Sequence, residues 1–151
     1  MLNSKLFRLT ASKATKVYFT GSGCCTDEWI QCVGSSYDIG RLGFSISETP
    51  EESDLLVIYG AVTRAELPHL VALYNRICRP KMVLALGACA CSGGIFHSAK
   101  NKTVIAGIDQ EIPVDVFVPG CPPRPEAIIE GLLKVRLLLT EPRMHGSRID
   151  Q

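Results

Sequence analysis

An open parallel β-sheet with helices on both faces is the architecture this sequence predicts, and three observations predict it. Three apolar runs, Asp54–Tyr59 (DLLVIY), Met82–Leu86 (MVLAL) and Val114–Val118, lack the in–out alternation of a half-solvated strand. Continuous apolarity marks strands covered on both sides, the signature of parallel sheets. Segments of helical spacing follow the first and third of these runs, and each run leads into a loop carrying glycine, as βαβ units require. At 151 residues, with 46% hydrophobic residues, the chain is long enough for one domain with a sizeable core.

The elements read in order as follows. Residues 1–15 form an N-terminal arm without a continuous apolar stretch, so a secretory signal is not expected. Its Lys, Arg, Ser and Thr content is compatible with a transit peptide, and Leu2, Leu6 and Leu9 suit an amphipathic arm laid on a neighbour. Lys16–Thr20 (KVYFT) is rich in β-formers and runs into Gly21-Ser22-Gly23, a strand followed by a loop. The loop delivers Cys24-Cys25. Asp27 and Glu28 then suit the N-terminus of a helix whose apolar side is Trp29, Ile30, Cys32 and Val33.

Leu42–Ile46 reads as a further strand and Thr49-Pro50-Glu51-Glu52 as a turn. After Gly60, the segment 65–77 places Leu67, Leu70, Val71, Tyr74 and Ile77 at helical spacing, with Pro68 in the tolerant first turn. Pro80 ends that region. The stretch Gly87-Ala88-Cys89-Ala90-Cys91-Ser92-Gly93-Gly94 reads as a small-residue loop. The segment 125–139 is a helix with Pro125 at its first position, Glu126 in its first turn, and a buried stripe of Ile128, Ile129, Leu132, Leu133, Val135 and Leu137. An α/β domain over 16–142 is therefore expected, followed by a polar tail over 143–151.

Several function classes are disfavoured at once. A formal net charge of +1 supports no nucleic-acid partner. No run approaches the roughly 18–20 apolar residues of a spanning helix. Seven cysteines is an odd count, and without a secretory signal metal binding is a better use for them than disulfides.

In open parallel sheets ligands sit beyond the carboxyl ends of the strands. Cys24-Cys25, Cys89 and Cys121 each follow an expected strand within a few residues, which assigns four thiols to one sheet edge. Cys121 is held between Gly120 and Pro122-Pro123; the prolines fix φ and the glycine admits dihedrals closed to other residues. Zinc sites usually draw on CxxC hooks or histidines, whereas adjacent cysteines point apart and suit two irons at different corners of one cube. Four thiolates is the usual complement of a 4Fe–4S cluster, and Cys24, Cys25, Cys89 and Cys121 supply it. Cys91 shares the loop with Cys89 and spacing does not separate them; Cys89 is preferred. Cys32 and Cys78 read as packing residues.

Glu28 fits two roles, a proton-handling carboxylate near a redox centre or a favourable charge at a helix N-terminus. Arg124 is positioned to raise the potential of a net-negative cluster from outside its ligand shell. His69, His97 and His145 are scattered and gain no assigned role.

These stretches resemble a known family: Cys24-Cys25 with Glu28, Asp38-Ile39 with Arg41-Leu42-Gly43, residues 54–63 (DLLVIYGAVT), Gly87-Ala88-Cys89 with Ser92-Gly93-Gly94, and residues 113–126 (PVDVFVPGCPPRPE). The chain is similar to the small iron–sulfur subunit, 20 kDa or B-type, shared by respiratory complex I and the energy-converting membrane-bound NiFe-hydrogenases. The resemblance implies a flavodoxin-like fold and one 4Fe–4S cluster on Cys24, Cys25, Cys89 and Cys121, with Ser92 and Gly93 beside it. It implies a large catalytic partner subunit over the cluster end, a ferredoxin-like iron–sulfur subunit, membrane subunits, and a peripheral place on the cytoplasmic side of the membrane. The expected role is electron transfer, NADH- or ferredoxin-dependent, to an acceptor site shared with the large subunit.

Within that resemblance the two branches leave different marks. Adjacent Cys24-Cys25 follows the complex I pattern; the hydrogenases place the first ligand three residues before the second, where this chain has Ser22. Glu48-Thr49-Pro50 and residues 88–96 read like the hydrogenase branch. Glu51 stands where complex I members carry an arginine near the quinone site. A carboxylate there would disfavour negative charge building on a quinone, so a different acceptor, such as a small sulfur compound, is an expectation. The alternatives are a proton-reducing hydrogenase subunit and, from another class, a structural zinc or scaffold subunit.

Overall fold

The computed structural model describes residues 14–78 and 81–140. Nearly all of the expected arm, the Arg79-Pro80 stop, the Pro142 stop, His145 and the tail lie outside the described residues.

Five strands form one all-parallel sheet: β1 (Thr15–Gly21), β2 (Phe44–Ile46), β3 (Leu55–Tyr59), β4 (Met82–Leu86) and β5 (Val116–Val118). Their order across the sheet is β2-β1-β3-β4-β5, the flavodoxin-like doubly wound order whose switch point falls between β1 and β3. The register is continuous, with Val17 opposite Leu55, Leu55 opposite Met82, and Leu84 opposite Val116. Every residue of β3 and β4 is buried, which is why these runs are apolar without alternation.

Alternate side chains of those strands enter two separate cores. Leu55, Val57 and Tyr59 of β3, with Leu84 and Leu86 of β4, pack with Trp29 and Cys32 of α1 (Cys25–Val33) and with Ile128, Leu132 and Val135 of α4 (Pro125–Thr140). Leu56, Ile58, Val83 and Ala85 face the other way, onto Leu70 and Leu73 of α2 (Leu67–Arg76) and Ala90 of α3 (Gly87–Ser92). The expected cover on both faces is present. No helix among the described residues is long and apolar enough to cross a membrane.

Four local readings change. The stretch expected as a loop after β4 is α3, a six-residue helix. Its alanines and cysteines are small rather than irregular, and Gly93 closes it in the left-handed conformation, donating its N–H to the Cys89 carbonyl at 2.8 Å. Leu42 belongs to a 3₁₀ turn, Ile39–Leu42, so β2 begins only at Phe44. The Thr49–Glu52 turn includes a 3₁₀ helix over Pro50–Glu52. On the helices, Ile30, Val33, Leu133 and Leu137 face outward, and Leu137 is 62% exposed; α4 instead buries Gly131 and Leu139.

Candidate metal centre

Three strand ends deliver the four thiols. β1 ends at Gly21, and Cys24 then caps α1, whose first residue is Cys25. β4 runs directly into α3, which carries Cys89. β5 ends at Val118 and the loop brings Gly120 and Cys121. A backbone bond from Ala88 N–H to the Gly120 carbonyl at 2.7 Å stitches the Cys89 helix to the Cys121 loop. In that loop Gly120 has φ +149°, and a side chain on it would collide with Pro123; the Cys121–Pro122 peptide bond is cis.

Gly87 joins the remaining arm of the site. At φ +86° it occupies the left-handed region, and a Cβ added to it would lie 2.5 Å from the Cys25 sulfur. The Cys25 thiol thus rests on the bare backbone where β4 turns into α3. Sequence reasoning missed this seat, although a glycine immediately after a buried strand is the signal that marks it.

The electrostatics agree with the convergence. Burial pushes the Cys25 thiol up to about 12, helped by the neighbouring Cys24 through charge and a hydrogen bond, then by Cys89 and Cys121. Cys89 is also raised, first by burial and then by Cys121 and Cys24. Cys25 and Cys89 therefore lie within the fields of the other site cysteines, which oppose their ionisation. Among the described residues, no three His, Cys, Asp or Glu side chains are arranged to grip a single metal ion. A donor set of four soft sulfurs brought to one sheet edge fits an iron–sulfur group.

The other cysteines face elsewhere. Cys32 is fully buried and donates to the Pro125 carbonyl at 3.6 Å; burial, then Glu28 and Glu126, push it up to about 12. Cys91 turns its thiol back to the Ala85 carbonyl of β4 at 3.5 Å, and it is raised by burial and by Asp109. None of the four converging thiols contributes to either shift. Cys78, expected to pack, is exposed, because α2 has ended at Arg76.

Glu28 lies half-buried in the first turn of α1, and its charge acts on Cys32 and Tyr37. Arg124 is exposed; its carbonyl accepts the first N–H groups of α4, and its charge lowers Glu126. Ser92 donates its hydroxyl to the Ala88 carbonyl at 3.0 Å, while Gly93 is buried. His97 donates Nδ1–H to the Val104 carbonyl at 3.0 Å, and His69 is exposed on α2. Around the site two 3₁₀-turn residues, Ile95 and Phe96, are 81% and 52% exposed.

Glu51 overturns one expectation. It sits in the turn that feeds β3 from its amino end and pairs with Arg76 at 2.7 Å. A five-residue strand spans about 13 Å, and the whole of β3 separates this turn from the thiol edge. Glu51 is thus not beside the thiols, and its charge gives no ground for deciding the acceptor.

A family model described as the NADH ubiquinone oxidoreductase 20 kDa subunit matches residues 22–135. The chain belongs to that family. It is 44% identical to a B-type NADH-quinone oxidoreductase subunit from Campylobacter fetus over 117 residues, 77% of this chain and 68% of that protein. It is 45% identical over 116 residues, also 77% of this chain, to K-type NAD(P)H-quinone oxidoreductase subunits from Synechocystis and Prochlorococcus marinus, spanning 52% and 48% of their lengths. The chain thus spans about half the length of those cyanobacterial relatives.

Among solved structures, the membrane-bound sulfane sulfur reductase, an archaeal respiratory membrane complex, matches with a TM-score of 0.82 at 33% identity, over 93% of this chain and 78% of that one. An NAD+-reducing NiFe hydrogenase in its H2-reduced state matches with a TM-score of 0.63 over 87% of this chain and 95% of that one. At 18% identity the hydrogenase likeness speaks for the fold alone. An iron–sulfur group is consistent with membership of the 20 kDa subunit family and with the four-thiol edge.

Proposed function

We propose that this 20 kDa-type subunit carries electrons within a complex I-like, membrane-associated oxidoreductase, through one 4Fe–4S cluster held by Cys24, Cys25, Cys89 and Cys121. The convergence of four thiols from three strand ends at one sheet edge carries the reading. Such a cluster, when bound, supplies the electron acceptance and release. The chain supplies four thiolate positions, a glycine seat that admits the Cys25 sulfur, and burial that keeps water from that thiol.

In the proposed assembly a large catalytic subunit covers the cluster edge, where Ile95 and Phe96 are exposed. A ferredoxin-like subunit delivers electrons and membrane subunits anchor the whole at the cytoplasmic face. The acceptor site is shared with the large subunit. Two acceptors are favoured by specific observations. Adjacent Cys24-Cys25 and the quinone-oxidoreductase relatives favour a quinone; alignment of 93% of the chain with the sulfane sulfur reductase favours a sulfur compound. Ser22, in place of the first hydrogenase-type ligand, opposes hydrogen evolution as the main reaction.

The test is an assay of the anaerobically purified complex with a low-potential donor, offered protons, a quinone analogue and polysulfide in turn, with EPR on the reduced sample. A 4Fe–4S signal with turnover of quinone or polysulfide is expected. Absence of any cluster signal would overturn the redox reading, and brisk hydrogen production would overturn the exclusion of protons.

A further inference from the structure

Trp29 is the single tryptophan of the chain, and it is 1% exposed with its indole nitrogen lacking any hydrogen-bond partner. Among the described residues it is the one buried side-chain nitrogen or oxygen left in this state. A donor buried without an acceptor costs on the order of 1–3 kcal/mol, and native chains rarely tolerate one without a reason. An apolar ring would fill the space without that cost.

Its location points to what is missing. Trp29 lies one turn after Cys25 on the buried side of α1, and long helical side chains lean back over the turn before them. The indole packs on Phe19 at 5.5 Å between ring centroids, and Phe19 stacks in turn on Tyr59 at 6.4 Å. Tyr59 is the last residue of β3 and Phe19 lies two residues before the end of β1. The indole is therefore wedged at the switch point beneath the thiol edge, among side chains that offer it no acceptor. Trp29 shares the buried side of α1 with Cys25, so a sulfur-rich group held by the four thiols is a chemically suitable acceptor for its N–H.

We infer that the Trp29 indole N–H donates a hydrogen bond to a sulfur of the iron–sulfur group held by Cys24, Cys25, Cys89 and Cys121, and so sets its reduction potential. The inference rests on the iron–sulfur reading above. Hydrogen bonds to cluster sulfurs are a recognised lever on potential. Reduction adds negative charge to the sulfurs, so a donor favours the reduced state and raises the potential. The Phe19 and Tyr59 rings hold the indole in place and exclude the water that would otherwise compete for its N–H.

The experiment is an EPR-monitored redox titration of the purified complex carrying wild-type chain, Trp29→Phe, or a tryptophan isostere with sulfur in place of the indole N–H. The isostere keeps the ring volume, so it decides the matter if Trp29→Phe fails to fold. Both substitutions are expected to weaken reduction roughly threefold, a fall of about 28 mV at 59 mV per decade for one electron. A 15N coupling from labelled indole in the reduced wild type should vanish in Trp29→Phe. A cluster that loads normally but keeps its potential in both variants, or shifts only in Trp29→Phe, would overturn the inference and leave the iron–sulfur reading standing. A wild-type complex without a cluster would overturn both.

Discussion

The two edges of the sheet solve opposite problems. At the edge where the strands begin, charges find partners within the chain: Arg76 holds Glu51 at 2.7 Å, Lys16 holds Glu52 at 3.0 Å, and Asp54 accepts the Lys16 backbone N–H at 3.0 Å. At the edge where they end, four thiols gather, and burial, then the neighbouring cysteines, raise Cys25 and Cys89. Exposed Ile95 and Phe96 lie just beyond. The first edge pairs its charges within the chain, whereas the second gathers thiols and exposed apolar side chains. Local frustration of this kind separates a working edge from a structural one.

The largest expected effect tests whether the thiol edge is specific down to one position. Cys89→Ser should abolish the visible absorption of the cluster, because the hydroxyl replaces a soft ligand within the converging set. Cys91→Ser should retain it, since that thiol turns to the Ala85 carbonyl. The reverse outcome would mean the wrong cysteine of α3 has been chosen.

A smaller effect is expected at Gly87. Alanine there meets both a left-handed φ and the Cys25 sulfur, so Gly87→Ala should cost about 1–3 kcal/mol. Thermal unfolding of the apo chain reads that cost, and iron content should fall in parallel. Full iron loading in Gly87→Ala would show that Cys25 does not depend on this seat.

Between the two edges in character stands the bond from the Tyr37 hydroxyl to Glu126 at 2.5 Å, which ties the loop after α1 to the start of α4. It holds Glu126 below its ordinary pKa and Tyr37 above its own. The lowered carboxylate contributes stability that is present above about pH 4.3 and is lost as pH falls through the folded value. The raised phenol contributes stability present below about pH 10 and lost as pH rises through its folded value. The stability difference between wild type and Tyr37→Phe should therefore form a plateau between those limits and shrink outside them. A difference that stays constant into acid would assign the effect to packing of the ring.

The smallest effect belongs to the charge-paired edge. Glu51→Gln removes an exposed ion pair, which is screened by solvent and salt, so melting temperature and cluster content should barely move. A marked change in acceptor preference would restore the role that the geometry takes from Glu51.

How far the chain's own letters reach can be read from particular residues. Continuous apolarity in 55–59 and 82–86 determined a doubly covered parallel sheet, because period and burial are local properties of a strand. Placement of cysteines just after such strands determined a common edge, since parallel strands must all end on the same side. The resemblance of the 113–126 stretch pointed to the 20 kDa subunit family. What only the tertiary structure decided depends on atoms distant in sequence. Small residues from Gly87 to Ser92 looked like a loop until their packing on the sheet made them a helix. Spacing does not separate Cys89 from Cys91, and only the fold shows the Cys91 thiol turned to the Ala85 carbonyl. Glu51 looked like a neighbour of the redox site because sequence position does not reveal which end of a strand a turn feeds. The orphaned indole of Trp29 is likewise invisible in sequence, where a tryptophan on an amphipathic helix reads as ordinary core; an unmet hydrogen bond exists only once every possible partner has been placed.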